Sequence, residues 1–245
     1  MIVVRSVDNE KVKKYRKLQS KKYREQYGQY IVEGMHLVIE AYKRGAIQEL
    51  ILLENEPVVI PAPYTYFSKE VMKKISTMDT PCSIMALCNK KDEQDIVGDK
   101  LLILDDLQDP GNLVTIIRSA VAFNIDTIIL SENSVDLYNP KVLRATQGMF
   151  FHTNIVTMNV HEVIMLLRNM KIPVYGTRVE SGVEASELKP EEKKRFALIV
   201  GNEGNGVREE INNLCDKNLY IPMNKNVESL NVAIATSVLL YELGR

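Results

Sequence analysis

Residues 101–130, LLILDDLQDPGNLVTIIRSAVAFNIDTIIL, decide the fold class of this chain. LLILD is a continuous apolar run, which is typical of a strand buried on both faces. NLVTIIRSAVAFN follows a Pro-Gly turn with apolar residues at helical spacing, and DTIIL is a second apolar strand. This strand–helix–strand order predicts a parallel sheet that is covered by helices.

The same alternation continues toward the C-terminus. Helices are predicted in PKVLRATQGM, HEVIMLLRNM and NVAIATSVLLYEL, and strands in NIVTM, IPVYGTR, FALIVGN and NLYIPM. Residues 1–97 read as a small α/β unit, and the polar stretch NKKDEQDIVGD at residues 89–99 is the candidate linker. We therefore predict two domains, residues 1–97 and residues 98–245. In the second, ligands should bind beyond the carboxyl ends of the strands.

Composition narrows the class of protein. The 245 residues are 45% hydrophobic and 26% charged, which is ordinary for a soluble globular protein. No apolar run approaches the roughly 20 residues of a membrane helix, and the N-terminal apolar stretch is too short for a signal peptide. The three cysteines and three histidines form no metal-ligand or disulfide pattern. We expect a cytoplasmic protein with free thiols, no metal site and no membrane partner.

Positive charge is concentrated near the N-terminus. Residues 1–97 contain 16 Lys and Arg against 13 Asp and Glu, although the whole chain has a net charge of -1. KVKKYRKLQSKKYR, residues 11–24, has eight basic residues and no acidic one, and we call it the basic segment. It could neutralise phosphates, with Tyr15 and Tyr23 stacking on bases; a solvated helix face is the alternative. The candidate RNA-binding residues are Lys13, Lys14, Lys17, Lys21, Lys22 and Arg24.

Three strand-to-helix loops carry the chemically informative residues. The first loop, within residues 104–120, places Asn112 near a helix start and Arg118 about two turns further along. The glycine loop, within residues 198–207, has the order G-x-x-G-x-G, which favours close approach of a ligand to backbone. Neither a dinucleotide-binding loop nor a P-loop has this order. The third loop, within residues 220–243, offers Ser229 as a helix N-cap and Asn231 beside it.

Each loop also has a purely structural interpretation. Arg118 could be a salt-bridged surface arginine, the glycines could form a plain turn, and Ser229 could be only a cap. The order and context of the three loops are more specific than any one of them. DPGN with the arginine of IIRSA, then GNEGNGV, then IPM followed by ESLNVAIA resemble the three motifs of the TrmH/SpoU family of RNA ribose methyltransferases, in the SPOUT superfamily.

The resemblance runs from about Leu101 to the C-terminus, and residues 1–97 resemble the small substrate-binding domain that often precedes it. It implies an α/β fold in which a parallel-sheet SPOUT domain contains a deep trefoil knot. It implies S-adenosylmethionine as cofactor, a homodimer, and methylation of a ribose 2′-hydroxyl in structured RNA. Ribosomal RNA is the expected substrate and transfer RNA the alternative. An inactive RNA-binding protein and a nucleotide-dependent oxidoreductase are rival interpretations.

The resemblance also implies the site residues. Those for catalysis are Asn112, Arg118, Glu203, Ser229 and Asn231. Those whose main chain surrounds the cofactor are Thr177, Gly201, Ile221, Met223 and Leu230.

Arg118 is the family's proposed proton acceptor. Because an arginine is effectively always protonated, we expect it instead to orient the substrate phosphate and stabilise the developing alkoxide. Two positions depart from the family pattern. Val114 stands where glycine is usual, next to the expected substrate pocket, and Cys82 replaces a glutamine of the small domain.

Overall fold

A computed structural model describes residues 2–90 and 95–245. Residues 91–94 of the predicted linker lie outside the described residues. The rest divides into two compact units. The first unit holds the residues up to 90 together with Asp136–Phe151, and the second holds residues 95–135 together with His152–Arg245.

The elements are as follows, in chain order. Up to residue 90 they are β1 (Val3–Val4), α1 (Glu10–Lys17), α2 (Lys21–Tyr27), β2 (Gln29–Glu33), α3 (Met35–Lys43), β3 (Ile47–Leu53), β4 (Tyr64–Phe67), α4 (Lys69–Ile75) and β5 (Ile84–Asn89). From residue 95 they are β6 (Lys100–Leu104), α5 (Pro110–Ala122), β7 (Thr127–Leu130), α6 (Pro140–Ala145), β8 (Asn154–Thr157), α7 (Val160–Asn169), β9 (Val174–Thr177), β10 (Val183–Glu184), β11 (Phe196–Val200), α8 (Glu209–Asn212), β12 (Lys217–Tyr220) and α9 (Val232–Leu243).

The first unit is built on a five-stranded sheet in the order β1-β4-β3-β5-β2. β5 runs antiparallel to both of its neighbours, and the other pairs are parallel. Successive residues of β3 enter different apolar clusters: Leu50 and Leu52 pack with α3, and Ile51 packs with α1 and α4. Since side chains alternate across a strand, helices cover both faces of this sheet.

Asp136–Phe151, which includes α6, belongs to the first unit although it follows three elements of the second. Arg24 is only 3% exposed, forms an ion pair with Asp136, and donates to the Leu18 carbonyl at 2.7 Å. Leu143 and Phe151 are buried in the apolar cluster around β2 and α3. The predicted division into residues 1–97 and 98–245 placed Asp136–Phe151 in the second domain. The sequence could not show otherwise, because PKVLRATQGM has the same helical pattern wherever it packs.

The second unit is a seven-stranded sheet in the order β10-β12-β9-β11-β6-β7-β8, and every pairing is parallel. The predicted parallel α/β fold is confirmed. Leu101, Ile103, Ile129 and Ile199 contribute alternate strand positions to one buried face, against α7. The trefoil knot depends on how the chain is threaded as well as on strand order, and it stays a prediction. Within the described ranges, no helix is long and apolar enough to cross a membrane.

Candidate active site

A buried ion pair joins the first loop to the glycine loop. Asp105 follows β6, and its fully buried carboxylate accepts from Arg208 Nη2 at 2.7 Å and from the Arg208 amide at 3.2 Å. The hydrogen bond to Asp105 raises the pKa of Arg208, so this arginine stays charged. The pair holds the end of the glycine loop beside β6. The sequence interpretation missed both residues, although an aspartate after a fully apolar strand is a recognisable signal for a buried partner.

The glycine loop closes on its own backbone. Asn202 and Gly206 exchange backbone hydrogen bonds of 3.0 and 2.9 Å, and the Asn202 side chain accepts from the Gly204 amide at 2.9 Å. A Cβ atom at Gly201 would lie 2.0 Å from the Gly206 carbonyl carbon. Gly206 has a φ of +67°, a conformation that favours glycine. The glycine at position 201 is therefore required first by the loop itself, rather than by the approach of a ligand.

Glu203 crosses from the glycine loop to the first loop. Its carboxylate accepts from the Asp109 amide at 2.8 Å, from the Gln108 amide at 3.2 Å and from Asn112 Nδ2 at 3.0 Å. Burial would raise the pKa of Glu203, but the hydrogen bonds from Asn112 and the two amides outweigh it and lower the pKa. Glu203 is thus ionised at neutral pH. It holds the first loop and forms no hydrogen bond or ion pair with Arg118 among the described residues.

Asn231 connects the third loop to the same network. It is the N-cap of α9, where its Oδ1 accepts from the Ala233 amide at 2.9 Å and the Ile234 amide at 3.3 Å. Its Nδ2 donates to Asn112 Oδ1 at 2.9 Å. Ser229 was predicted to be the cap, and this was wrong, because the helix begins at Val232 and the adjacent Asn231 takes that position. Asn112 therefore bridges the glycine loop and the third loop.

A cavity of about 520 Å³ opens between the end of β9, the glycine loop and the start of α9. This volume lies within the range of small-molecule sites, about 300–1,000 Å³. The cavity lining includes every predicted cofactor residue: Thr177, Gly201, Ile221, Met223 and Leu230. Glu203, Ser229 and Asn231 line it as well. Asn112 does not line the cavity, but it forms hydrogen bonds with Glu203 and Asn231, which do.

The polar groups of the cavity wall are suited to a polar ligand. Thr177 lines the cavity and donates its hydroxyl hydrogen to the Ile199 carbonyl of the neighbouring strand at 3.0 Å. Arg178 Nε and Asn212 Oδ1 are buried and have no hydrogen-bond partner among the described residues. Since buried polar atoms are nearly always paired, these two indicate a wall built for further hydrogen bonds.

Arg118 lies outside this network. It is exposed on α5, does not line the cavity, and makes no hydrogen bond or ion pair with any residue that the structure describes. The alternative of a salt-bridged surface arginine therefore has no support within the described residues. Val114 is buried in α5 and does not line this cavity, and its expected place beside the substrate pocket stays a prediction. Cys82 is half-buried, and burial raises the pKa of its thiol to about 11.

Some side chains of the basic segment are buried in the first unit, and others are exposed to solvent, where they could contact RNA. Arg24 was predicted to bind RNA, and this is wrong, because it is buried and paired with Asp136. Tyr15 is likewise buried and bonded to Glu49, so it cannot stack on a base. Tyr23 and Tyr27 stack on each other with ring centroids 6.2 Å apart.

Three lysines lie over this tyrosine pair. Lys14 Nζ is 5.3 Å from the centroid of the Tyr27 ring, and Lys17 Nζ is 5.4 Å from that of Tyr23. Lys22 Nζ lies 5.8 Å from the Tyr23 ring. Lys21 is exposed at the start of α2, whereas Lys13 pairs with Glu10 at 3.1 Å.

No group of three or more His, Cys, Asp or Glu among the described residues could hold a metal ion.

Comparison with known proteins identifies the family of this arrangement. Residues 99–241 match the SpoU rRNA Methylase family, and residues 9–86 match the MRM3-like substrate binding domain. The chain belongs to the SpoU rRNA methylase family. It is therefore an S-adenosylmethionine-dependent RNA methyltransferase, as the three motifs predicted.

Individual relatives match along the whole chain. The 23S rRNA (guanosine(2553)-2'-O)-methyltransferase RlmP of Bacillus subtilis is 37% identical, over 98% of both chains. The human mitochondrial rRNA methyltransferase 3 is 28% identical, over 92% of this chain and 69% of its own. Among solved structures, a putative TrmH-family RNA methyltransferase from Porphyromonas gingivalis has a TM-score of 0.89 and 32% identity, covering 97% of this chain and 98% of that one. The AdoMet-bound rRNA methyltransferase from Sinorhizobium meliloti has a TM-score of 0.86 and 28% identity, covering 99% and 97%.

Proposed function

We propose that this SpoU-family enzyme methylates the 2′-hydroxyl of a guanosine ribose in large-subunit ribosomal RNA. The observation that carries the proposal is the network in which Asn112 bridges Glu203 and Asn231 at the cavity mouth. This network joins all three motif loops. A catalytically inactive RNA-binding protein would have no need to keep it. The full-length similarity to RlmP supports ribosomal RNA and a guanosine target.

The chain's residues divide the work of the reaction. The bound cofactor supplies a methyl group on a sulfonium, which is already strongly electrophilic. The ribose oxygen forms a bond to this methyl carbon as the carbon–sulfur bond breaks, and the ribose proton passes to solvent. Positioning for in-line attack is therefore the main requirement. The Asn112–Glu203–Asn231 network provides rigid loop geometry, and Ser229 offers a hydroxyl at the cavity wall.

Arg118 is proposed to act on the RNA rather than on the cofactor. Its guanidinium is exposed and has no partner within the described ranges, so its donors are available to a phosphate. A fixed positive charge there would stabilise the developing alkoxide. This role needs no deprotonated arginine, which would be incompatible with its basicity.

Mapping of 2′-O-methyl groups in RNA from cells that carry or lack the protein tests the substrate. We expect one ribose methylation in large-subunit ribosomal RNA to disappear, and transcribed ribosomal RNA to accept methyl groups in vitro. The matching transcript with a 2′-deoxy nucleotide at that position is the control and should accept none. Loss of a transfer-RNA mark instead would favour the alternative substrate, and a methylated base would refute ribose chemistry.

We also propose a homodimer. Ile234, Val238 and Tyr241 recur on one side of α9, and Ile234 and Tyr241 remain 54% and 52% exposed. An apolar helix face of this kind is typical of an interface. Light scattering at micromolar concentration should give twice the mass of the 27.9 kDa chain. Ile234→Asp should give a monomer, whereas Met165→Asp, at an exposed position of α7, should not; monomeric wild type would refute the proposal.

The available lysines of the basic segment are proposed to hold the RNA. Lys14, Lys17 and Lys22 surround a stacked tyrosine pair, and Lys21 is exposed beside them. Lysines can neutralise phosphates while exposed ring faces stack on unpaired bases.

Because ribosomal RNA is the proposed substrate, we further propose a cytoplasmic location. Fractionation followed by immunodetection tests it.

A further inference from the structure

The wall of the cofactor cavity contains one positively charged side chain among the described residues, Arg178. It follows Thr177 directly at the end of β9. Its Nη2 donates to Glu209 Oε1 at 2.9 Å, and its Nε is buried with no partner among the described residues. A guanidinium has five N–H donors, so most of the hydrogen-bonding capacity of Arg178 is unused.

The partner of Arg178 is easily exchanged. The Glu209 side chain is 71% exposed, against 30% for Arg178, so water screens the ion pair and competes for the carboxylate. Arg208 gives the contrast, because the Asp105 carboxylate that it binds is fully buried and makes several hydrogen bonds to it. Breaking the Arg208–Asp105 pair would therefore cost much free energy, whereas breaking the Arg178–Glu209 pair would cost little.

The cofactor carries a group that matches this arginine. S-adenosylmethionine ends in an amino acid whose α-carboxylate is its only anionic group. Guanidinium and carboxylate form paired, charge-assisted hydrogen bonds, which are stronger than neutral ones. The other charged groups of the described cavity wall are Glu203 and Glu209, and both would repel a carboxylate.

We propose that Arg178 binds the α-carboxylate of S-adenosylmethionine, and that Glu209 is a placeholder which releases Arg178 when the cofactor enters. Arg178 then selects ligands that retain the amino-acid end. Glu209 weakens the binding of the same ligands, because it must first be displaced from the arginine.

Calorimetric binding of two ligands tests the proposal without any RNA. S-adenosylhomocysteine has the α-carboxylate, whereas 5′-methylthioadenosine keeps the adenosine and the thioether but lacks the amino-acid chain. Arg178→Gln should weaken S-adenosylhomocysteine by about 10- to 100-fold, as expected for a lost charge-assisted hydrogen bond, and leave methylthioadenosine unchanged. Equal weakening of both ligands, or of neither, would overturn the assignment.

Two further variants complete the test. Glu209→Gln keeps Arg178 and should tighten S-adenosylhomocysteine several-fold without affecting methylthioadenosine; unchanged or weaker binding would overturn the placeholder role even if Arg178→Gln did not fold. Arg168→Gln is the matched control. Arg168 is an exposed arginine of the same unit that donates to the Leu214 carbonyl and does not line the cavity. If Arg168→Gln weakened S-adenosylhomocysteine as much as Arg178→Gln, long-range charge would explain both effects and the direct contact would be rejected.

Discussion

The active-site loops and the basic segment differ in how strongly the structure determines their side chains. In the loops, Asn112, Glu203 and Asn231 each have defined hydrogen-bond partners, and those partners belong to other loops. In the basic segment, Lys17 and Lys22 lie over a tyrosine ring without an ion pair among the described residues. Specific spacing therefore indicates specific geometry, whereas a run of like charges does not show which of its side chains are buried, paired or free.

Arg118 tests this contrast most severely, because it is a motif residue with the exposure of a surface residue. If it contacts the RNA phosphate during reaction, Arg118→Ala should lower kcat by about 100- to 1,000-fold, as loss of a transition-state donor does elsewhere. The affinity for S-adenosylmethionine should not change, since Arg118 does not line the cavity. Single-turnover methylation and calorimetry measure the two effects.

The matched control is Arg195→Ala, which removes an exposed arginine of the same unit that pairs with Asp99. It should retain near-normal turnover. Near-normal turnover in Arg118→Ala as well would remove Arg118 from the catalytic residues. A parallel loss of cofactor binding would show that it acts on the fold instead.

The glycine loop tests whether its closed geometry is needed for the cofactor. Gly201→Ala would place a methyl group 2.0 Å from the Gly206 backbone, so the loop must open. We expect S-adenosylmethionine to bind about 10- to 100-fold more weakly, because the backbone groups that face it are displaced. Gly204→Ala is the control, since its Cβ would meet only Asn202 Oδ1 at 3.5 Å. Similar affinities for the two variants would contradict this role for Gly201.

Glu203→Gln tests the contribution of charge to the network. Glutamine would present an NH₂ group where three N–H donors converge on a carboxylate. We expect turnover to fall about tenfold and the free energy of unfolding at neutral pH to fall measurably. Unchanged turnover and unchanged stability would mean that the carboxylate does not hold the first loop.

The contribution of Glu203 to stability should depend on pH, because only the ionised carboxylate accepts all three hydrogen bonds. Because the folded-state pKa of Glu203 lies below the ordinary 4.5, its stabilisation is present above that value and disappears as the pH falls through the lowered pKa. The stability difference between wild type and Glu203→Gln should therefore be constant from pH 8 to about 5 and shrink below 4.5. Denaturant titrations at these pH values measure it, and a difference that grew on acidification would contradict the lowered pKa.

The parts of the fold and of the site that could be predicted from the sequence are those with a specific residue pattern. Strands such as β6 and β11 contain continuous apolar runs, so the sequence pattern located them, and the motifs located the three loops. The two-residue strand β10 carries no such pattern and was not predicted. The Asp105–Arg208 pair was missed because neither residue has a signal without its partner. Arg24 and Tyr15 were misassigned because the pattern of the basic segment does not show which side chains turn inward. The position of Asp136–Phe151 depends on long-range packing, which local patterns do not encode.

The basic segment should affect the binding of RNA and leave the active-site loops unchanged. Replacing Lys17, Lys21 and Lys22 by alanine removes three exposed charges and leaves the buried Arg24 in place. Each lost phosphate contact should reduce the slope of log affinity against log salt by about 0.7–0.9, so RNA affinity should fall about 3- to 30-fold at moderate salt. The control replaces Lys69, Lys73 and Lys74, three exposed lysines associated with α4 of the same unit, and so removes the same charge. Filter binding across a salt series measures both. If the two triple variants lose equal affinity, net charge alone explains the binding, and the tyrosine pair with its lysines is no more than a solvated helix face.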